Sequence, residues 1–390
     1  MLKKIILFLL IWKLVIFLSA YLATFFISLD LSFVPEYLRR RDFPYLIWTW
    51  GNFDGNHYIG IADRGYFNYE YGFFPLFPLL ISLLYRLFHT PFLINALLIT
   101  NVSLLLSFIV FIKILAIDKK LRLFNYFILI LFLYPTTFYL QAAYNDSLFL
   151  LFATTCLYFA RKKSWFLSSV LASLATLTRL NGLALIFPII IEYLTQFTKD
   201  YKNTWNLKKI QSFLVKRINP ATLFRDRIIS VVLIPLAFLS YLFYIQKEFG
   251  KWQLVFTSMK LWHQNKVIFP LQVFWRYFKI LVLHPSFHLN YLRATIEIAS
   301  VFLIIFLLIY SFKKIRLSYW AFFLISILIP STTGTFQGMP RYGLHLYPFY
   351  LSLALLLQNR SLAIKLFLLL IGLILTLLLV GLFTRGYFVA

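Results

Sequence analysis

The chain has 390 residues, of which 61% are hydrophobic and only 13% are charged. An ordinary soluble domain carries roughly twice that charged share, so a soluble fold cannot bury the apolar surface of this chain. The formal net charge is +25. The lysines and arginines fall in short clusters between apolar runs, which indicates membrane topology signals and argues against nucleic acid as a partner.

Apolar runs of about twenty residues, the length of a helix that crosses a bilayer, recur along the chain. Because a lipid-exposed backbone must satisfy its own hydrogen bonds, the predicted spanning elements are helices. With the basic clusters on the cytoplasmic side, the sequence predicts about eleven spans and an outer C-terminus. These spans lie near 5–29, 92–116, 123–139, 147–160, 164–178, 181–195, 228–246, 292–312, 317–331, 342–358 and 362–383. The prediction is an all-α polytopic membrane protein with a single domain, residues 1–390.

Three loops are long enough to stand out. The first external loop, 30–90, carries six of the thirteen acidic residues. Its apolar segment Phe73 to Phe88 is short and contains prolines, so we predict an interfacial helix that lies on the outer surface. A basic cytoplasmic loop is predicted at 196–227. A second external loop, 247–291, carries several lysines against the positive-inside bias, which weakens as loops lengthen.

The first external loop contains the most informative run, FDGNHYIGIADRGY at 53–66, with FFPLFP following at 73–78. Asp54 has two interpretations. It either caps a helix that starts near Asn56, or it acts as a general base that accepts the proton of an acceptor hydroxyl. The other candidates in this part of the chain are His57 and Asp63 as catalytic groups, Arg64 as a phosphate ligand and Glu70 as a substrate ligand.

Two polar clusters interrupt the apolar runs further along. In the first, Asn145 and Asp146 either cap the next helix or bind substrate. In the second, Arg179 and Asn181 break a long apolar stretch. An unpaired arginine is costly there, so Arg179 needs a counter-charge or a phosphate, and Asn181 is a further candidate substrate ligand.

The last cluster, STTGTFQGMPRY at 331–342, is predicted on the outer side. Its glycines allow the backbone to approach a ligand closely, and Arg341 can bind a phosphate through two parallel hydrogen bonds. Tyr342 stands beside it as a second candidate phosphate ligand. The alternative is a connecting loop with an interfacial Arg-Tyr anchor.

Together these clusters resemble the PIG-V family of mannosyltransferases, a branch of the GT-C glycosyltransferases. The family pattern of an Asp, a Gly-Ile-Ala-acid-x-Gly-Tyr stretch and Phe-Phe-Pro-x-Phe-Pro is matched by Asp54, 60–66 and 73–78. Three later elements of the family are matched by 142–147, 178–182 and 340–342. The sequence departs from the family where Phe53 replaces the usual Trp and Asn52 replaces an Arg.

The resemblance implies a GT-C membrane fold with interfacial helices over an outward cavity. It implies a dolichyl- or undecaprenyl-phosphate mannose donor, a glycan or glycolipid acceptor and an inverting displacement. Asp54 would be the base, and Arg179 and Arg341 would neutralise the lipid phosphate. We expect no metal and no cofactor, and an active site on the outer face of a prokaryotic plasma membrane.

Two other functions fit the many spans. A transporter or lipid flippase usually places ionisable residues and broken helices near the membrane midplane, whereas the acids here collect in an external loop. A non-catalytic subunit that presents a lipid to a partner enzyme would tolerate the loss of Asp54, which an enzyme would not.

Overall fold

The computed structural model describes residues 2–32, 43–196, 204–206, 208, 211, 220–262, 264, 267–283 and 289–389. Every regular element within these ranges is a helix, which confirms the predicted all-α class. Most of the predicted basic loop 196–227 lies outside the described residues, as do Glu36 and Asp42 of the first external loop.

The helices vary widely in length. In chain order they are α1 (Leu2–Phe26), α2 (Tyr45–Trp48), α3 (Asp54–Arg64), α4 (Leu76–Phe88), α5 (Phe92–Ile117), α6 (Phe124–Leu133), α7 (Asp146–Arg161), α8 (Trp165–Thr178), α9 (Ile186–Thr195), α10 (Pro220–Arg225), α11 (Leu233–Phe249), α12 (Leu254–Thr257), α13 (Pro270–Phe278), α14 (Leu289–Ser311), α15 (Leu317–Ser331), α16 (Met339–Tyr342), α17 (Tyr347–Gln358) and α18 (Leu362–Thr384).

Five helical stretches of the described chain are long and apolar enough to cross a membrane: α1, α5, α14, α18 and the stretch Ile228–Phe249 that contains α11. The other six predicted spans coincide with helices of 10 to 16 residues. A count of eleven spans therefore stays a prediction, as does the interfacial position of α3 and α4.

The predicted span 123–139 ends early in the structure. Helix α6 stops at Leu133, and Tyr134 is extended (φ −98°, ψ 111°). The next residue is Pro135, which disfavours helical backbone in the residue before it and has no N–H of its own. A 3-10 turn, Thr137–Leu140, continues the chain toward α7.

The helices that carry the candidate site pack side by side, α5 against α7, α7 against α8 and α8 against α11. After α8 the chain turns sharply at Arg179, which is extended, into the 3-10 helix Leu180–Leu185. Gly182 permits this turn, because a Cβ there would lie 2.3 Å from the backbone N of Thr176. The break between the two helices brings the Arg179 side chain to a cavity.

Two members of the basic clusters form ion pairs near the C-terminal end of α5. Arg161 lies 2.9 Å from Asp118 and 3.4 Å from Glu192, and Arg316 reaches Glu192 at 2.8 Å. The sequence interpretation treated both arginines as topology signals. The structure shows that they also join α7, α9 and the residues that flank α5 and α15.

Candidate functional site

Four charged side chains from distant parts of the chain meet beside one cavity. Arg341 donates through Nη1 to Asp54 Oδ2 at 2.8 Å and through Nη2 to Asp146 Oδ2 at 3.2 Å. Arg179 donates through Nη1 to Asp146 Oδ1. Two carboxylates and two guanidinium groups therefore form one connected, charge-balanced cluster.

Asp54 is the first residue of α3, two residues before the predicted helix start near Asn56. The N-cap position belongs to Phe53, whose φ of +55° is unusual for a bulky residue and marks a tight turn. The Asp54 side chain pairs with Arg341 instead of acting as the N-cap, and it keeps 23% of its surface exposed. The capping interpretation of Asp54 is therefore wrong, and the carboxylate faces a ligand-sized space.

Asp146 begins α7 and is fully buried. It accepts hydrogen bonds from Arg179 and Arg341, and its Oδ1 lies 3.3 Å from His345 Nδ1. It was predicted as a substrate ligand, but it lies behind the two arginines and does not line the cavity. Its contacts suit a residue that holds the arginines in place.

The guanidinium of Arg341 is fixed by aromatic rings as well as by carboxylates. Its carbon lies 4.7 Å from the ring centre of Tyr139 and 4.6 Å from that of Tyr144, which are cation–π distances. The hydroxyl of Tyr144 in turn donates to the Asn52 carbonyl at 3.1 Å. Arg341 is only 7% exposed, so its orientation is set before any ligand arrives.

Arg179 is held less completely. Its guanidinium carbon lies 5.5 Å from the ring centre of Tyr342, and 16% of its side chain is exposed. Among the described residues it reaches Asp146 and His345 through Nη1. Its Nε and Nη2 groups therefore remain available to an anion in the cavity.

The cavity has a volume of about 500 Å³ and two chemically different walls. The polar wall includes Asp54, Asn145, Arg179, Asn181, Arg341 and Tyr342. The apolar wall includes Phe73, Phe74, Val255, Phe256, Met259, Val267, Ile329 and Phe388. A ligand with a charged head and an apolar tail matches both walls.

The two asparagines of the polar wall are anchored to neighbouring backbone. Asn145 donates to the Thr178 carbonyl at 2.7 Å, and Asn181 donates to the Ser326 carbonyl at 3.1 Å. The buried Asn145 Oδ1 has no hydrogen-bond partner among the described residues. That oxygen is suited to accept a hydrogen bond from a ligand hydroxyl.

The second external loop is tied to the loop that carries Arg341. The Ile268 N–H donates to the Thr332 carbonyl at 2.8 Å, and Arg276 Nη1 donates to the Gly334 carbonyl at 2.6 Å. Gly338, at φ +82°, makes the turn into α16, on which Arg341 lies. The predicted outer segments therefore build one wall together.

A separate cluster consists of Glu70, Arg64 and His57, all three of which were predicted as site residues. Glu70 is at its centre and is 4% exposed. Arg64 forks onto its two carboxylate oxygens at 2.9 and 2.8 Å, and His57 Nδ1 lies 3.2 Å from Oε1. Burial acts to raise the pKa of Glu70, but the hydrogen bonds from His57 and Arg64 outweigh it, so the pKa lies below its ordinary value. This cluster does not line the cavity. Two contacts link the cluster to Phe73 of the apolar wall: the Phe73 N–H donates to the Glu70 carbonyl at 2.8 Å, and the His57 and Phe73 rings stack with their centres 4.8 Å apart.

Asp63, the third predicted catalytic residue, is exposed near the end of α3. At 1.5 Å per residue it lies about 13 Å along the helix from Asp54. Of the three predicted catalytic groups, Asp54 alone lines the cavity. Arg64, predicted at the donor phosphate, pairs with Glu70 instead.

His345 is a member of the charged cluster that the sequence interpretation missed. It is fully buried, its Nδ1 faces Asp146, and its Nε2 has no hydrogen-bond partner among the described residues. The available signal was an imidazole inside the predicted span 342–358, where ionisable residues are rare and usually functional.

Comparisons with known proteins give a family and distant structural likenesses. The family model described as Mannosyltransferase (PIG-V) matches residues 3–255. The matched segment contains three of the four motifs, whereas 340–342 lie beyond it. With the five membrane-length helices, this match identifies an integral membrane protein. No curated protein matches the chain.

The similar solved structures are archaeal oligosaccharyltransferases of Archaeoglobus fulgidus. One is a complex with Zn and sulfate, at 12% identity and a TM-score of 0.39, covering 85% of this chain and 48% of that one. Another is AglB with an inhibitory peptide and a dolichol-phosphate, at 13% identity and a TM-score of 0.39, covering 87% and 52%. The chain thus spans about half the length of these proteins.

Proposed function

Because the chain belongs to the PIG-V mannosyltransferase family, we propose that it transfers mannose from a polyprenyl-phosphate donor to a hydroxyl of a glycan or glycolipid acceptor. The observation that carries this proposal is the Arg341 fork between Asp54 and Asp146 at the polar wall of the cavity. It places the Asp54 carboxylate beside Arg341 and, through Asp146, in one cluster with Arg179. A base and positive charge at one site are what the displacement of a lipid phosphate by a hydroxyl requires.

The donor binds with its phosphate at Arg179 and its isoprenoid tail along the apolar wall. Both arginines line the cavity, but Arg179 is the more exposed, at 16% against 7%, and it reaches Asp146 through Nη1 alone. Arg341 uses both Nη groups on carboxylates, and its buried Nε has no partner among the described residues. The donor phosphodiester carries one negative charge, and the departing lipid phosphate gains a second. A preorganised guanidinium stabilises that second charge as it develops.

Asp54 is the base. Arg341 contacts Oδ2 of Asp54, so Oδ1 is the oxygen that receives the proton of the acceptor hydroxyl. The hydroxyl oxygen then bonds to the anomeric carbon from the face opposite the phosphate, and the electron pair of the breaking carbon–oxygen bond leaves with the lipid phosphate. The result is one glycosidic bond with inverted configuration, a lipid phosphate and a protonated Asp54.

The membrane arrangement is part of the same proposal. The chain adopts the GT-C architecture, and the cavity opens on the non-cytoplasmic face of a prokaryotic plasma membrane. The positive-inside pattern supports this orientation, because the basic clusters predicted as cytoplasmic are separated from the candidate site by the spans between them.

A transfer assay with purified protein tests the function directly. The protein is supplied with polyprenyl-phosphate mannose, polyprenyl-phosphate glucose or GDP-mannose, together with a glycolipid acceptor extract, and the product linkage is read by NMR. We expect inverted mannoside product from the polyprenyl-phosphate mannose alone. Transfer from GDP-mannose, or retention of configuration, would contradict the proposed donor and mechanism.

A further inference from the structure

A second cavity lies at the opposite end of α5 from the candidate site. Thr100 of α5 donates to the carbonyl of Tyr144, the residue that packs on Arg341. From Thr100 to Ile117 the helix rises about 26 Å. The chain just beyond Ile117 forms part of a cavity of about 730 Å³.

The lining of this cavity is basic. It includes Lys119, Lys120, Arg122 and Lys314, and none of the described residues that line it is acidic. The closest carboxylate along the chain, Asp118, is held by Arg161 and by the hydroxyl of Tyr319. That carboxylate is therefore committed to the buried ion pairs and does not neutralise the cavity.

The basic side chains are arranged by specific contacts. Lys120 Nζ donates to the Lys314 carbonyl at 3.1 Å, which joins the segment after α5 to the segment after α14. Lys314 Nζ lies 3.4 Å from the ring centre of Tyr310. These contacts hold the two sides of the cavity together across 194 residues of sequence.

We propose that this cavity binds the phosphate headgroup of an anionic phospholipid. The basic residues meet the phosphate, and the apolar side chains of Leu121, Tyr310 and Leu355 in the same lining meet the glycerol and the first acyl carbons. The cavity lies at helix ends whose basic clusters are predicted to be cytoplasmic. Basic pockets between membrane helices on that side bind such headgroups.

Native mass spectrometry of the purified full-length protein tests this assignment. The probes are phosphatidylglycerol, phosphatidylcholine with the same acyl chains, and inorganic tripolyphosphate. The test variant is K119Q/R122Q/K314Q. The matched control, K162Q/K163Q/K313Q, removes three charges from exposed residues of the neighbouring basic clusters that do not line the cavity.

We expect wild-type protein and the control to retain phosphatidylglycerol in preference to phosphatidylcholine. The triple test variant should lose affinity by a factor on the order of a hundred, because each basic residue near an anionic lipid contributes about fivefold. The single variant Arg122→Gln, at an exposed position, should lose about fivefold and keeps the test decisive if the triple variant does not fold.

Equal retention of phosphatidylglycerol by the test and control variants would overturn the assignment, since the lipid would then respond to net charge alone. Displacement of phosphatidylglycerol by equimolar tripolyphosphate would also overturn the assignment, because the ligand of the cavity would then be a free polyphosphate and not a phospholipid.

Discussion

Replacing Arg341 by lysine keeps the charge and removes the fork. A lysine can reach Asp54 or Asp146 but not both in the same plane, so one charge-assisted hydrogen bond is lost. Asp146 keeps Arg179 and His345 as partners, and Asp54 is partly exposed to water. The cost in stability is therefore about 1.5–3 kcal/mol, the contribution of one hydrogen bond to a charged group, which is less than the ~5–15 kcal/mol by which folded domains are usually stable.

Catalysis is impaired as well, because the displaced carboxylate is the proposed base. Loss of one charge-assisted hydrogen bond in the transition state costs about 1–3 kcal/mol, or roughly 5- to 150-fold in kcat/KM. The assay is sugar transfer by Arg341→Lys with polyprenyl-phosphate mannose. The matched control is Arg64→Lys, which breaks a similar fork on Glu70 outside the cavity lining. Equal activity of Arg341→Lys and wild type would assign Arg341 to an interfacial anchor and refute this reasoning.

Three further predictions address topology, packing and pH. Cysteines at Asn68 and Thr335 should both react with an impermeant reagent in intact cells, and protection of one alone would separate the two outer segments. Gly182→Ala should abolish accumulation of folded protein, because its Cβ would meet the preceding helix backbone at 2.3 Å; Gly55→Ala, whose Cβ would come no closer than 3.4 Å to the neighbouring Ala143 and Tyr144, should accumulate. Glu70→Gln should lower the apparent melting temperature at pH 7 by an amount that corresponds to about 1 kcal/mol. Because the pKa of Glu70 lies below its ordinary value of 4.5, the stability that its charge contributes is fully present above that pH and is lost as the pH falls through the lowered pKa; a difference that does not shrink on acidification would show that the carboxylate charge is not its source.

The helical class and the positions of most helices follow from the sequence, because apolar runs and basic clusters are local signals. Prolines and glycines set many of the ends, as Pro135 does for α6 and Gly182 for the turn after α8. The number of crossings does not follow in the same way. Several helices are shorter than a bilayer is thick, and their apolar length alone does not decide whether they span it.

Which charged residues pair with one another could not be predicted from the sequence. Sequence reasoning placed Asp54 and Arg341 on one side of the membrane, but their contact joins residues 287 positions apart, and no periodicity encodes such a pair. It assigned Asp146 to the substrate and Arg64 to the phosphate, because a single sequence does not reveal which carboxylate meets which arginine. It passed over His345, whose importance depends on being buried beside Asp146.

The central claim is that the Asp54 carboxylate is the base, and the Asp54→Asn variant tests it most directly. Asparagine keeps the shape of the side chain but does not accept a proton at neutral pH. The measurement is sugar transfer and donor binding by the purified variant, with Asp63→Asn and His57→Ala as comparisons.

We expect Asp54→Asn to bind the polyprenyl-phosphate donor and to lose about 10²- to 10⁴-fold in turnover, the usual contribution of a general base. Asp63→Asn and His57→Ala should keep most of their activity, because neither residue lines the cavity. Near wild-type transfer by Asp54→Asn, with loss in either of the other variants, would assign the base to a different residue. Unchanged transfer by all three variants would contradict the catalytic account as a whole.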